Sequence, residues 1–96
     1  MTDIACSALF IASAQGMSQR VHAIINSNRT LDINHQTESG MTSLMAATIG
    51  GYIEVVSLLL CHGADYSIKD KYGHDIMYYA RQCKNPDIAP LLSVLF

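Results

Sequence analysis

Cysteine and histidine are the side chains of this sequence that could bind a metal or act as nucleophiles. Cys61 and His62 are adjacent, but the sequence has no C-x-x-C pair and no second pair at the spacing of zinc ligands. A Cys–His enzyme would also need an orienting third group and an oxyanion site, and neither a G-x-S-x-G motif nor a glycine-rich phosphate loop is present. We therefore expect no metal, no cofactor and no enzymatic activity.

The three cysteines also indicate a compartment. Cys6, Cys61 and Cys83 are an odd number of thiols and lie far apart in sequence, which argues against a secreted disulfide scaffold and favours an intracellular, cytoplasmic or nuclear, location. Cys61 falls on or beside the apolar face of a helix, so we expect a buried, inert thiol there. Cys83 falls at a helix end, where we expect more exposure.

Length, charge and hydropathy exclude several further classes of protein. The chain has 96 residues, of which 50% are hydrophobic and 15% charged, and this composition predicts one small folded domain. Its formal net charge of −2 gives no electrostatic footprint for nucleic acid or anionic lipid. The sequence contains no run of about 18 apolar residues, so we expect no membrane insertion.

Internal repetition organises the chain. A shift of 33 residues superposes the second half on itself, pairing Gly40 with Gly73, Ala47 with Ala80, Leu58 with Leu91 and Leu59 with Leu92. The N-terminal part matches the middle at an offset of 35, pairing Leu9 with Leu44, Ala12 with Ala47, Gly16 with Gly51 and Val21 with Val56. The offset returns to 33 where Asp32 falls on Asp65, so the first unit carries two extra residues in a loop.

Each unit follows the same pattern of short helices. In the middle unit, Thr42 is positioned to cap a helix over 43–49, and Gly50-Gly51 ends that helix. A second helix is predicted over 53–61 from its broad apolar face, and His62-Gly63 ends it. Neither helix reaches the ~12–15 residues that an isolated helix needs in water, so the units must stack to bury their apolar faces.

The middle unit resembles the ankyrin repeat. Its segments Gly40-Met41-Thr42-Ser43-Leu44-Met45-Ala46-Ala47, Gly51-Tyr52-Ile53-Glu54-Val55-Val56-Ser57-Leu58-Leu59-Leu60 and Gly63-Ala64-Asp65 match the family's anchors. The resemblance covers one domain over 1–96, with a full repeat at 34–66 and degenerate repeats at about 2–33 and 67–96. It implies an all-α solenoid of three stacked helix-turn-helix units, joined by β-hairpin-like loops, that binds other proteins without catalysis.

The sequence departs from the family pattern at several positions. Ser43 and Ile76 replace the proline of the T-P-L-H stretch, and Met45 replaces its histidine, as Phe10 and Tyr78 do in the other units. Asp75 replaces the threonine but is itself a good N-cap. Asn85-Pro86-Asp87 stands where a glycine would precede the last helix. Pro90 predicts a kink, or a helix whose regular part begins near Pro90.

By the same resemblance, a partner protein is bound by the loop tips and the inner helices. The implied loop-tip residues are Gln36, Glu38, Ser39, Met41, Lys69, Lys71, Tyr72 and His74, and the implied inner-helix residues are Ala14, Gln15, Ile49 and Gln82. Other interpretations remain open. Met41 and Ile49 are equally compatible with scattered surface apolar residues, and Tyr72 with packing on a neighbouring loop. Tyr78 and Tyr79 favour packing over binding, as do Phe10 and Met45.

The two ends of the chain are apolar. The segment Leu91-Leu92-Ser93-Val94-Leu95-Phe96 and the predicted first helix over 4–14 both present apolar residues that no neighbouring unit of this chain covers. Either the chain is cut from a longer repeat protein, or the ends bury against a partner or a second copy through Leu92, Leu95 and Phe96. A last, site-level expectation from the resemblance is hydroxylation of Asn34.

Overall fold

The computed structural model describes residues 4–28 and 30–94, which form three helix pairs. The helices are α1 (Ile4–Ala14), α2 (Ser18–Ser27), α3 (Ser43–Gly50), α4 (Ile53–Cys61), α5 (Ile76–Gln82) and α6 (Ile88–Ser93). In this part of the chain no residue is in a β-strand. The all-α prediction is confirmed, and the predicted boundaries of α1 and α4 are those observed.

Local capping chemistry fixes where the inner helices begin and end. The Thr42 hydroxyl accepts a hydrogen bond of 3.2 Å from the Met45 backbone N–H, and the Asp75 carboxylate accepts one of 3.2 Å from the Tyr78 N–H. Helix α3 ends at Gly50 and is capped by Gly51, whose φ of +74° is the left-handed conformation that glycine adopts without steric cost. Both N-caps predicted from the sequence are therefore confirmed.

The start of the last helix is built by different residues. The Asn85 side-chain Oδ1 accepts a hydrogen bond from the Asp87 N–H (3.0 Å), and its Nδ2 donates to the Gly51 carbonyl (2.8 Å). Helix α6 begins at Ile88, so Pro90 is its third residue. The missing N–H of Pro90 falls in the first turn, where no intrahelical acceptor exists, and the proline breaks no helical bond.

The helix pairs stack in sequence order. The inner helices pack α1 on α3 and α3 on α5, and the outer helix α2 packs on α4. Helix α3 has neighbours on both sides and buries every residue from Ser43 to Thr48, whereas α5 buries only Ile76 and Ala80. A buried alanine recurs at one repeat position of the inner helices and allows their close approach: Ala12, Ala47 and Ala80. The core is therefore one continuous cluster through all three units.

Reverse turns connect the pairs. Each hairpin is numbered by the repeat that it opens. The second hairpin (37–41) is closed by a hydrogen bond of 2.9 Å from the Thr37 N–H to the Met41 carbonyl, and the third hairpin (70–74) by the equivalent bond from the Asp70 N–H to the His74 carbonyl. The two hairpins are joined by a bond of 2.9 Å from the Lys71 N–H to the Ser39 carbonyl. The hairpin-like loops expected from the sequence therefore stack in register with the helices.

Three expectations from the sequence are wrong. Cys61 is exposed, because its repeat position points outward in every unit, as the exposed Asn26 and Val94 show. Cys83 is half-buried and less exposed than Cys61, with its Sγ 3.2 Å from the Ala80 carbonyl. Leu92 is 0% exposed and belongs to the chain's own core, so it is not available to a partner. Leu95 and Phe96 lie outside the described residues.

Candidate protein-binding surface

The carboxylate of Asp70 shapes the third hairpin from inside. Its Oδ1 accepts hydrogen bonds of 2.9 Å from the backbone N–H groups of both Tyr72 and His74, and its Oδ2 accepts one from the Tyr79 hydroxyl. The His74 Nδ1 lies 3.7 Å from the same Oδ2. Asp70 is buried, so these donors replace the water that a carboxylate needs.

The pKa values of Asp70 and Tyr79 are shifted in opposite directions. Burial acts to raise the pKa of Asp70, but the hydrogen bonds from Tyr79, His74 and Tyr72 outweigh it and hold that pKa below the usual 3.8. Burial, with the adjacent Asp70 carboxylate, raises the pKa of Tyr79 to about 12. Near neutral pH the carboxylate is ionised and the phenol keeps its proton, so the hairpin has a fixed support.

Tyr72, His74 and Tyr78 form a cluster of aromatic rings next to Asp70, which we call the aromatic platform. The His74 and Tyr78 rings are stacked, with centroids 3.7 Å apart and planes 5° from parallel. The Tyr72 ring centroid is 6.3 Å from that of His74, and the Lys71 Nζ lies 5.6 Å from the Tyr72 centroid. Tyr72 is 66% exposed, so it does not pack on a neighbouring loop and presents its ring to solvent.

The second hairpin contributes less free surface than the sequence suggested. The Gln36 Nε2 donates to the carbonyls of Gly40 (2.8 Å) and Lys69 (3.1 Å), so its amide ties the two hairpins together. Ser39 is half-buried and shares a hydroxyl hydrogen bond of 3.1 Å with Thr37. Met41 is half-buried and packs against the core. Of this hairpin's predicted contacts, Glu38 alone is exposed without such a bond among the described residues.

A second element of the surface is a row of exposed residues on the inner helices. Ala14, Ile49 and Gln82 occupy the same repeat position, and each is exposed. Ile49 and Gln82 lie near the ends of α3 and α5, on the order of 10 Å along the helices from the hairpins. The structure therefore brings Lys71, Tyr72 and His74 together on the third hairpin, with Lys69 just before it, and leaves the row as a separate strip.

A family model described as ankyrin repeats in three copies matches residues 7–94. The chain belongs to the ankyrin-repeat family. Relatives include ankyrin repeat and KH domain-containing proteins, 41% identical over 59 residues in Drosophila melanogaster and 39% in Homo sapiens. Each alignment covers 62% of this chain, and 1% and 2% of the relative respectively. A putative ankyrin repeat protein of Rickettsia felis is 34% identical over 70 residues, which is 73% of this chain and 23% of that protein.

A solved structure has the same arrangement of repeats. A chain in the complex of a predatory endopeptidase from Bdellovibrio bacteriovorus with an immunity protein superposes with a TM-score of 0.84 at 32% identity. The match covers 91% of this chain and 45% of that chain. The chain thus spans less than half of the relatives and the structure it matches. Ankyrin repeats generally act as protein–protein interaction modules.

Two residues of this ankyrin stack were not foreseen as surface residues. Tyr78, expected to pack, does stack on His74 but is also 36% exposed, and Arg81, which belongs to no motif in the sequence, is exposed. They fall at the repeat positions of Met45 and Thr48, which are both 0% exposed on α3, the inner helix that has an inner helix on each side. The signal was present in the 33-residue alignment, but reading it requires knowing which face of an inner helix meets the following repeat.

The remaining candidate chemistry is limited. Across residues 4–28 and 30–94, no three His, Cys, Asp or Glu side chains are grouped so that they could hold a metal ion. No helix within those ranges is long and apolar enough to cross a membrane. The Asn34 Oδ1 accepts a hydrogen bond of 2.8 Å from the Asp65 N–H of the next loop. Hydroxylation of this asparagine stays a prediction.

Proposed function

We propose that this chain is a non-catalytic module that binds a partner protein through its hairpin tips and the exposed row on its inner helices. The observation that carries the proposal is the row itself. Ala14, Ile49 and Gln82 are exposed at one repeat position, although the residues just before the first two, Ser13 and Thr48, are buried. These side chains have no packing role in the core, and the rigid stack holds them in line. Such a surface is preorganised for a second polypeptide, which lowers the entropic cost of binding.

The proposed contacts divide into anchors and orienting charges. Ile49 and Tyr72 are 38% and 66% exposed and supply apolar and aromatic area. Glu38, Lys69 and Lys71 supply charges at the hairpin tips that orient an incoming chain. The remaining predicted contacts, which we retain in the proposed surface, are Gln36, Ser39, Met41, His74 and Gln82. Three repeats offer a modest area, so we expect moderate affinity.

The test is affinity purification of the tagged chain from cells, with the captured proteins identified by mass spectrometry. The double variant Ile49→Ala, Tyr72→Ala should lose a captured protein that the parent chain retains. Both side chains are exposed, so the melting temperature should change little. Ile11→Ala is the matched control, because Ile11 is 55% exposed on α1, outside the row and the hairpins. Retention of every captured protein by the double variant would overturn the proposed surface.

A second candidate function is stacking on further repeats or self-association. Ile4 is 89% exposed and Ile11 55% exposed on α1, and Val94 is 81% exposed after α6. Ile4 and Ile11 favour a contact at the α1 end of the stack, whereas Leu92 is buried and Val94 lies at the repeat position that points outward in every unit. Loss of the captured proteins, or of a dimer in sedimentation, with Ile11→Ala alone would favour this function.

A further inference from the structure

The burial of equivalent residues shows which side of an inner helix meets the following repeat. Thr48 on α3 is 0% exposed, whereas Arg81, its equivalent on α5, is exposed. Helix α5 packs against its own partner α6 and the preceding α3, as α3 packs against α4 and α1. The one contact that α3 has and α5 lacks in the described chain is a following inner helix. Arg81 therefore lies on the side of α5 where that neighbour would be, which we call the end face.

The aromatic platform belongs to the same end face. Tyr78 is the equivalent of Met45, which is 0% exposed on α3, where a following inner helix is present. Tyr78 precedes Arg81 by three residues, so the two side chains are neighbours on one side of the helix. His74 stacks on Tyr78, and Tyr72 continues the series to the hairpin tip. The end face is thus a stripe of aromatic rings with a guanidinium at one end and the Lys71 ammonium at the other.

A further repeat of the same geometry is a poor occupant for this stripe. In the middle unit, the Thr48 hydroxyl donates to the Leu44 carbonyl at 2.7 Å and brings no charge under the covering helix. A guanidinium at the same position has five donors and a fixed charge. Burying it beneath an apolar helix without a partner would be strongly unfavourable, because the charge would lose its hydration. The occupant must therefore bring acceptors of its own.

The local charge identifies those acceptors. Lys69, Lys71 and Arg81 are exposed, and none of them forms a salt bridge within the described residues. The acid between the two lysines, Asp70, is turned inward and its oxygens are already bonded. Asp70 and the N-cap Asp75 offset part of this charge, but the exposed charges here are the cations, although the whole chain carries −2. That net charge disfavours a polyanion as extended as nucleic acid.

We propose that the end face binds an acidic segment of a partner polypeptide. The segment's Asp or Glu carboxylates pair with Lys71 and Arg81, and one apolar or aromatic side chain between them lies on the Tyr72 ring. Tyrosine and arginine are the residue types that contribute most to interfaces, and the stacked Tyr78 is already ordered before binding. This inference rests on the proposed function, because it names the partner chemistry for one part of the proposed surface.

The experiment is a selection of short random peptides displayed on phage against the purified 96-residue chain. We expect the enriched sequences to place acidic residues on either side of an apolar or aromatic residue. One enriched peptide, made with a fluorescent label, should bind in an anisotropy titration. Arg81→Glu should weaken its binding at least about tenfold, because an attraction becomes a repulsion. Lys84→Glu is the matched control, since Lys84 is exposed in the turn between α5 and α6 and changes the charge equally.

Each outcome decides the inference. Enriched peptides without acidic residues, bound through Ile49, would overturn the acidic partner and still support the proposed function. Equal weakening by Arg81→Glu and Lys84→Glu would overturn the end face as the site. If a labelled single-stranded RNA bound more tightly than the peptide, and Arg81→Glu abolished that RNA binding, the proposal that the partner is a polypeptide would be overturned. Selection of no peptide at all would count against the inference and the proposed function together. A circular dichroism melt of each variant verifies that it is folded.

Discussion

At the scale of single residues, Thr37 and Asp70 build the same turn in consecutive repeats with different chemistry. The Thr37 Oγ1 accepts a hydrogen bond of 3.2 Å from the Met41 N–H, and the Asp70 Oδ1 accepts one of 2.9 Å from the His74 N–H. A carboxylate has a second oxygen, and in the third hairpin this oxygen holds the Tyr79 hydroxyl. The aromatic platform is therefore supported from the core, whereas the second hairpin has no equivalent bond among the described residues.

This support predicts a loss of stability in alkali. The pKa of Tyr79 is raised from 10.0 to about 12 by burial and by the Asp70 carboxylate. A proton held more tightly in the folded state contributes stability that is present below pH 10 and is lost as the pH rises from about 10 to 12. Tyr79→Phe should remove that part of the alkaline fall in melting temperature, and it should lower the melting temperature at neutral pH because the carboxylate loses a donor.

Circular dichroism melts across the same pH range provide the check. Tyr72→Phe is the matched control, because Tyr72 is 66% exposed and its hydroxyl has no role in the support. Parallel alkaline curves for the parent chain and Tyr79→Phe would contradict the assignment. In acid the sign reverses: the pKa of Asp70 is lowered, so its contribution is present above pH 3.8 and falls away as the pH drops below that value.

At the scale of elements, the stacking of one hairpin on the next requires glycine at position 40. Gly40 has a φ of +86°, and a Cβ built there would lie 2.6 Å from the Lys71 backbone nitrogen. Gly73 occupies the same position in the third hairpin with a φ of +82°, but nothing lies within 4 Å of its Cβ position. A glycine can be required by a left-handed backbone or by a close neighbouring atom. Gly73 has only the left-handed backbone, whereas Gly40 has both.

Alanine substitutions at these two positions should therefore differ. Gly73→Ala should destabilise the chain by about 1–2 kcal/mol, the cost of a left-handed backbone for a residue with a Cβ. Gly40→Ala should cost an additional ~1–3 kcal/mol, because the Lys71 and Asp70 backbone must move away. Urea unfolding curves measure both free energies. Equal losses for the two variants would mean that the hairpins do not approach each other as closely as described.

At this scale, the sequence predicted features that depend on nearby residues and missed features that depend on packing between distant ones. The bounds of α4 and the caps at Thr42 and Asp75 depend on residues within one turn of each other, and these predictions are confirmed. The exposure of Cys61 and the burial of Leu92 depend on how each outer helix is rotated against the stack, and the broad apolar sequence of these helices does not fix that rotation. The same limit applies to the binding surface, where the loop tips were predicted but Arg81 was not.

At the scale of the whole molecule, the three helix pairs share one hydrophobic core. The buried cluster includes residues from all six described helices, and α3 is the element that connects its two ends. A domain of this size has a net stability near the lower end of the ~5–15 kcal/mol range for folded proteins. We therefore expect no pair of helices to remain folded alone, so that damage in the middle repeat affects the entire chain.

Leu59→Ala tests this dependence. Leu59 is 0% exposed in α4, and removing its buried methyl groups should cost ~2–5 kcal/mol. A loss of that size should lower the melting temperature by roughly 4–8 °C per kcal/mol in a domain of this length. Leu58→Ala, the half-buried neighbour, is the matched control and should cost less.

Hydrogen exchange of the Leu59→Ala variant should show protection falling together in α1, α3 and α5, because the terminal helix pairs cannot keep their structure once the middle pair opens. Protection that fell in α3 and α4 while persisting in α1 would mean that the first repeat is stable alone, and the requirement for stacking would then be wrong.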